Sequence, residues 1–256
     1  MKIEYKTVDK EKNIVQITCP DERWYGNPDI GWFPSVTFIT SYYPKGAGYD
    51  RWLADKGMDK AEEVKKIAGE KGSAVHNAID IILKGETINC DDKFIDSQTL
   101  REREYSAEEW EAINSFVKWW KSINAKILSN EFMIIDTDNG YGGTVDILAE
   151  IDGVPYIIDI KTSKAVYASH EIQISAYAET VKNQGLKDKE GKEIIKPGTE
   201  LKLGIIQVGY QMNKNKYKFT EVENKFPLFL SVRKIWEEEN KNVSPKQYEL
   251  PTTIKI

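Results

Sequence analysis

Residues 141–161 read YGGTVDILAEIDGVPYIIDIK, two apolar, β-rich runs on either side of Asp152-Gly153. An Asp-Gly pair between such runs is the strongest short-range signal for a two-residue hairpin turn. With Asp152 and Gly153 as the loop, Ile151 pairs with Val154, and counting back in step sets Asp146 opposite Asp159. Opposite residues of an antiparallel pair have Cβ atoms roughly 4.5–5.5 Å apart, and like charges there repel unless something neutralises them. A divalent cation does so. Side chains alternate along a strand, so Asp159 and Lys161 share one face while Ile158 and Ile160 turn to the other, toward a core. Two carboxylates and an ammonium therefore converge on one spot. Hard oxygen ligands in that number suit Mg²⁺ or Mn²⁺. A lysine beside them can orient or deprotonate a water, or stabilise charge on a phosphate. A solvated hairpin with scattered charges is the alternative, and it leaves the matched positions of those charges unexplained.

An Asp followed across a hairpin by (Asp/Glu)-x-Lys resembles the PD-(D/E)XK nuclease superfamily, and the surrounding residues are similar to its RecB-type branch. Gly143-Thr144-Val145-Asp146 stands where that branch has Gly-x-x-Asp, and Asp159-Ile160-Lys161-Thr162 where it has Asp/Glu-x-Lys-Thr. Gln173-Ile174-Ser175-Ala176-Tyr177 resembles its Gln-x-x-x-Tyr helix, and Gly72-Ser73-Ala74-Val75-His76 its Gly-x-x-x-His helix. Upstream, Phe33-Pro34-Ser35-Val36-Thr37 and Trp52-Leu53-Ala54 look like elements of phage-type and mitochondrial genome maintenance exonucleases. Together the matches cover most of residues 33–177.

The resemblance implies an α/β fold: a restriction-endonuclease-like core, its mixed sheet built on a three-strand meander flanked by helices, with a helical N-terminal portion. It implies that His76, Asp146, Asp159 and the backbone carbonyl of Ile160 hold Mg²⁺ or Mn²⁺, and that Lys161 is catalytic with Asp146 and Asp159. Gln173, Tyr177, Ser35 and Thr162 would meet substrate, with Asp80 and Glu131 further out. The implied reaction is metal-dependent hydrolysis of DNA by an exonuclease acting at a free, single-stranded or frayed end, in recombination, repair or phage DNA processing. A structure-specific or restriction-like endonuclease would use the same residues, and a DNA-binding protein that has kept the fold without catalysis is the third reading. Relatives with an iron–sulfur cluster bind it on four cysteines; Cys19 and Cys90 are the only two here, so no such cluster is expected.

The same residues have readings of their own. Val75, Ile79 and Ile82 form a helical apolar stripe, and His76 and Asp80 lie one turn apart on a neighbouring face. A lone histidine there is either a structural group or a ligand, and a neutral imidazole suits Mn²⁺ better than Mg²⁺. Asp80 either hydrogen-bonds the ring's other nitrogen and fixes its tautomer, or is solvated. Glu131, just before the first strand of the meander, either joins the site or ends a strand in water. Gln173 and Tyr177 share a helix face beside Ile172 and Ala176; they contact DNA, support Lys161, or pack against the sheet. His170 reads as structural. Ser35 and Thr37 mark a helix start, where hydroxyls cap amides or touch phosphate. Trp52 reads as core, and Trp110, Trp119 and Trp120 fall on one helix with Ile113 and Phe116, mostly buried. An aromatic that stacks a frayed base cannot be picked out among them.

With 256 residues, 40% of them hydrophobic, and no Gly/Ser- or Pro-rich linker, the chain reads as one domain. Its parts are a mainly helical portion over 1–125, a catalytic core over 126–242 and a tail over 243–256. No apolar run approaches the roughly 20 residues of a membrane span, and MKIEYKTVDKEKN lacks signal-peptide character, so a soluble, cytoplasmic protein is expected, in the host cytoplasm if phage-encoded. No Walker lysine loop is present, so any motor, like any recombination or replication protein, would be a partner. Net charge is −5, yet lysines cluster at Lys161 and Lys164, from Lys182 to Lys202, and at Lys214, Lys216 and Lys218. Binding to DNA should then be moderate and strongly salt-dependent. No helix-turn-helix or zinc finger offers base specificity.

Periodicity predicts an irregular N-terminal segment containing a hairpin, then helices near 35–41, 49–56, 60–83 and 107–124. Strands follow near 132–137, 144–151 and 154–161, then a helix over 168–182, strands near 201–211 and 217–222, and a helix near 227–241.

Overall fold

The computed structural model describes residues 4–9, 13–19, 22–96, 101–188 and 190–245; of the expected tail, 246–256 lie outside the described residues. The chain opens with β1 (Glu4–Asp9), β2 (Ile14–Thr18), β3 (Arg23–Asn27) and β4 (Gly31–Pro34), followed by helices α1 (Val36–Thr40), α2 (Ala47–Lys56) and α3 (Met58–Leu83). Two short strands, β5 (Phe94–Ile95) and β6 (Glu102–Arg103), precede α4 (Ala107–Ser122). The meander is β7 (Ala125–Asp136), β8 (Tyr141–Ile151) and β9 (Val154–Lys161), and α5 (Ala168–Gln184) crosses over from it. After β10 (Leu186–Lys187) and β11 (Glu193–Ile195) come β12 (Lys202–Val208), β13 (Tyr217–Val222) and α6 (Phe226–Glu239).

The central sheet has the order β13-β12-β9-β8-β7, with β9 and β12 parallel and the other pairs antiparallel. A parallel pair needs a crossover, and α5 supplies it. The hairpin turn forms as its sequence demands. Asp152 and Gly153 both have positive φ, 50° and 81°, the geometry of a type I′ turn, and Ile151 pairs with Val154.

One core lies on the α5 side, where Val145, Leu148, Ile157 and Ile205 meet Ile172, Ala176 and Val181 of α5 and Phe229 of α6. The other lies under α3 and α4, where Ile147, Ile158, Ile160 and Ile206 meet Val75, Ile79, Ile113, Phe116 and Trp119. Ile158 and Ile160 do turn away from Asp159 and Lys161 into this second core. Helix α4 is fixed at its start by a capping box between Ser106 and Glu109, and Arg103 clasps Asp96 and Glu109 there at 2.9 and 2.8 Å.

Three differences from the sequence reading stand out. The described residues between 4 and 34 form a four-stranded antiparallel meander, β1-β2-β3-β4, where an irregular segment with a hairpin is predicted. Its β3–β4 turn is set by Asn27, whose side-chain oxygen accepts from the amides of Asp29 and Ile30. Strand β7 starts seven residues earlier than predicted, through a register shift between Ile127 and Ser129. Trp52 is half-buried rather than core, because α2 buries no residue and its ring packs on Tyr49 instead. Helix α2 and the first half of α3 therefore stand clear of the body. The 26 residues of α3 span about 39 Å, with Met58, Val64 and Ile67 exposed along the outer half. Among the described residues, no helix is long and apolar enough to cross a membrane.

Phe116 is fully buried between Trp119 and Trp120, at ring distances of 5.6 and 5.8 Å. Phe116→Ala should lower unfolding stability by about 3–5 kcal/mol with an unchanged m value in urea. A loss under about 1 kcal/mol would show that the α4 core collapses around the gap.

Candidate active site

The site forms where the sheet stops being regular. In β8, Tyr141 and Val145 face the α5-side core, whereas Ile147 and Ala149 face the other. Alternation thus slips by one at Asp146, and a one-residue slip sends every following side chain to the opposite face. Strand β7 slips with it: Asn130 pairs with Ile147 and Phe132 with Val145, while the row between them, Glu131 and Asp146, drops out of the ladder. Glu131 takes φ +46°, an uncommon conformation for a side chain of this kind. On the other side, the β8–β9 ladder keeps the predicted register down to Ile147 and Ile158 and stops there. One step further, where Asp146 and Asp159 would face each other, the strands part and Asp146 Oδ2 accepts the amide of Ile160 at 2.8 Å.

Helix α3 brings His76 to this fork. Its Nε2 lies 3.0 Å from the carbonyl oxygen of Ile160, and its Nδ1 lies 3.5 Å from Asp146 Oδ1. With both ring nitrogens engaged, Asp80 has no part in orienting the ring. It turns instead to Lys84 at 2.6 Å and to Asn130 at 2.5 Å, bracing the strand next to Glu131. Ile160, expected as a ligand through its carbonyl, takes the orienting role expected of Asp80. A proton on Nε2 is donated to that carbonyl, so Nδ1 faces Asp146 and carries a proton toward it unless a cation takes the proton's place.

His76, Glu131 and Asp146 each offer a ligand atom, all within 4.8 Å of one another. Asp159 Oδ2 lies 2.8 Å from Lys161 Nζ in an ion contact, yet this buried oxygen makes no well-aligned hydrogen bond. Lys161 Nζ donates to Gln173 Oε1 at 3.3 Å, and Gln173 Nε2 donates to the Tyr177 hydroxyl at 3.2 Å. Gln173 and Tyr177 are thus arranged as support for Lys161, and Tyr177 is 3% exposed. The two glycines before Thr144 let the wall close. A Cβ on Gly143 would come within 2.6 Å of the Tyr177 ring, and one on Gly142 within 2.9 Å of Tyr25. Tyr25, from the N-terminal meander, bonds Thr144 Oγ1 at 3.1 Å.

Ser35 caps α1, accepting from the Phe38 amide at 3.0 Å, and its hydroxyl also meets Thr37 at 2.9 Å. Buried to 2% exposure and bridged to Gly142, it has no free face for a substrate. Thr162 is half-buried against α3 at Gly72, 3.6 Å from where a Cβ would stand there.

The electrostatics follow from crowding. Burial pulls the His76 imidazolium down, but the Asp146 carboxylate outweighs it and holds the pKa up at about 9. Asp146 is driven the other way: burial would raise it, and His76, Lys161 and the Ile160 amide together hold it below the usual range. Burial pushes Asp159 up to about 6, with Lys161 opposing and Asp146 adding. Burial and then the Asp146 charge push Glu131 up to about 7. A proton on His76 neutralises Asp146 where a cation would do the same. One imidazole with clustered carboxylates, beside a buried carboxylate oxygen lacking a hydrogen bond, is a donor set that fits a divalent cation, and the nitrogen favours Mn²⁺.

A family model of the PD-(D/E)XK nuclease superfamily matches residues 47–249. The chain belongs to that superfamily. A comparison with individual curated proteins gives no match. The mixed five-stranded sheet flanked by helices is consistent with the superfamily's fold, and membership implies a divalent-metal-dependent hydrolytic nuclease with DNA as substrate. The match starts after α1, so the meander that supplies Tyr25 lies outside it.

Glu131 is the residue whose place is not readable from a strand starting at Phe132. A count back from the β7–β8 loop with a longer strand sets it opposite Asp146, which is the signal that moves it from an outer candidate into the cluster. Binding of Mn²⁺ should release protons at neutral pH, because the cation displaces the His76 proton, and apparent affinity should rise with pH up to about 9. Calorimetry in buffers of different ionisation enthalpy measures this, and no proton release would place the cation elsewhere. Glu131→Gln should leave the metal-free melting temperature equal or higher, since a like charge beside Asp146 is gone, while shrinking the upward shift that Mn²⁺ produces. An undiminished shift would remove Glu131 from the site.

Proposed function

We propose that this protein is a divalent-metal-dependent DNA exonuclease of the RecB-like, phage-type or mitochondrial genome maintenance kind, working in recombination, repair or phage DNA processing. The observation that carries the proposal is the convergence, at one fork in the sheet, of His76, Glu131 and Asp146 with the Asp159–Lys161–Gln173–Tyr177 chain. All four motif elements of the branch contribute to it in order.

His76, Asp146 and Glu131 would hold the cation, Mg²⁺ or Mn²⁺, and Asp159 would join them as a ligand. When bound, it supplies positive charge to a phosphate oxygen and acidity to water. Lys161 acts from the chain itself. Its ammonium has three donors; Asp159 and Gln173 occupy two directions and leave the third for a phosphate oxygen or the attacking water. Gln173 keeps the ammonium in place, and buried Tyr177 keeps Gln173 in place. Asp146 and His76 hold each other and the Ile160 backbone, so the site's geometry is set before substrate arrives.

The exonuclease reading draws support from α2 and α3. This exposed pair leads away from His76 for about 27 Å, the rise of the residues between Met58 and His76, and is suited to guide a strand toward the fork. No iron–sulfur cluster enters the proposal.

Lys161→Ala and Asp146→Ala should each lower cleavage of end-labelled linear DNA by about 10²–10³-fold at saturating Mn²⁺, the scale of losing one positioned charge. Chelation should abolish it. Linear DNA should be degraded while covalently closed circles survive. Circles cut at a comparable rate would make the protein an endonuclease, and near-normal activity in both variants would sink the assignment of the site.

A further inference from the structure

The loop that leaves the active site ends on an exposed aromatic ring. After Lys161 the chain is held tightly: Gln207 donates to the Ser163 carbonyl at 3.0 Å, and Ser163 bonds the Ala165 carbonyl at 2.8 Å. Val166 turns inward against the α5-side core. Tyr167, next in line, turns outward and is 56% exposed. It is the N-cap of α5 and its backbone amide meets His170 Nδ1 at 3.4 Å. The His170 ring stands edge-on to the Tyr167 ring, centroids 5.3 Å apart at 77°, and so fixes the ring without covering its outer face.

Position gives this ring its meaning. Tyr167, His170 and Gln173 follow one another at three-residue spacing, so that His170 neighbours each of the other two on the surface of α5, and Gln173 touches Lys161. Tyr167 therefore stands about 9 Å along the helix axis from Gln173, with exposed Lys164 just before it in the loop. Three tryptophans singled out in the sequence are engaged elsewhere. Trp119 is buried against Phe219, Trp120 stacks on Phe116, and Trp52 lies on α2 against Tyr49.

We propose that Tyr167 is a base-stacking platform at the mouth of the site, and that the strand it receives is unpaired DNA, single-stranded or frayed at an end. Every nucleobase has a π-face, and stacking on an aromatic ring is tolerant of sequence. In an intact duplex those faces are covered by neighbouring bases, so only an unpaired base can lie on the ring. A lysine beside the platform meets the backbone of the same strand. This inference rests on the DNA-cleaving reading of the site and names the residue that would receive an unpaired end.

The test is fluorescence anisotropy of the full-length protein with a labelled single-stranded oligonucleotide and a blunt hairpin duplex, with Ca²⁺ in place of Mg²⁺ or Mn²⁺. Tyr167→Ala should weaken single-strand binding by about 5- to 150-fold, the loss of one base stack, and leave duplex binding unchanged. Tyr167→Phe and Tyr167→Trp should bind like the wild type. A series of oligonucleotides with one abasic position should contain one position that weakens the wild type and has no further effect on Tyr167→Ala. Unchanged binding by Tyr167→Ala, or a Tyr167→Phe variant as weak as the alanine, would overturn the stacking role. If the wild type cuts no DNA with any divalent metal, the cleavage reading falls and takes this one with it. If it cuts DNA and Tyr167→Ala binds normally, only the platform falls.

Discussion

The bond from the Ile160 amide to the Asp146 carboxylate is the contact around which the rest of the site is arranged. A regular antiparallel ladder would continue past Ile147 and Ile158 and press two aspartates together on neighbouring strands. By accepting the Ile160 amide itself, Asp146 replaces the ladder with a side-chain bond where β9 parts from β8, while β9 stays paired with β12 along its other edge. The backbone group freed by the fork is thereby satisfied, which a buried sheet requires. On its other flank Asp146 faces Glu131, and the left-handed backbone there drops that row from the ladder too. The protein holds three carboxylates in one row of three adjacent strands at the cost of strain and lost pairing, and irregularity of this kind in a folded sheet marks function more often than accident.

Such a row stands only because rigid elements press on it from several sides. Helix α3 sets His76 against both Asp146 and the Ile160 carbonyl. Helix α5 sets Gln173 against Lys161, and Tyr177 can reach Gln173 because Gly143 has no side chain. The N-terminal meander closes the remaining side through Tyr25, and it is itself pinned by Trp24, which packs edge-on against Phe38 and Trp236 at 5.8 and 5.9 Å. Residues before position 47 lie outside the superfamily match yet touch the strand that carries Asp146. In this chain they are part of the site's support, so removing them would loosen the pocket before it changed any reacting group.

This division explains what can be read from the sequence. The aspartates and the lysine are legible because a two-residue turn sets register and a period of two sets facing, both local properties. The helices α3, α4 and α5 are legible from apolar spacing. Glu131 is legible only as an outer candidate, because its direction depends on a backbone angle that no nearby residue type announces, and because Asn130 and Glu131 look like the polar end of a strand when they lie within one. The meander is faint because its strands have only four to six residues and alternate weakly. Trp52 misleads for the opposite reason: a large apolar residue signals burial, but α2 rests only on another exposed helix. Asp80 shows the limit of spacing arguments, since it lies one turn from His76 and still bonds Lys84 and Asn130.

The charge of the site resolves the apparent conflict between an acidic chain and a polyanionic substrate. Three carboxylates at the fork repel a phosphate, and the two nearby cations, the His76 imidazolium and the Lys161 ammonium, are each held by one of the aspartates. The local field therefore favours a small, highly charged cation over a phosphate until the carboxylates are neutralised. A bound ion becomes the largest local charge and inverts that preference. Lysines such as Lys164, exposed to solvent outside the fork, can attract a strand through its phosphates. Net charge of the whole chain is then a poor guide to what the site accepts. The acids that make the sum negative include the ones that the chemistry needs, and the affinity for DNA resides in the groups that border them.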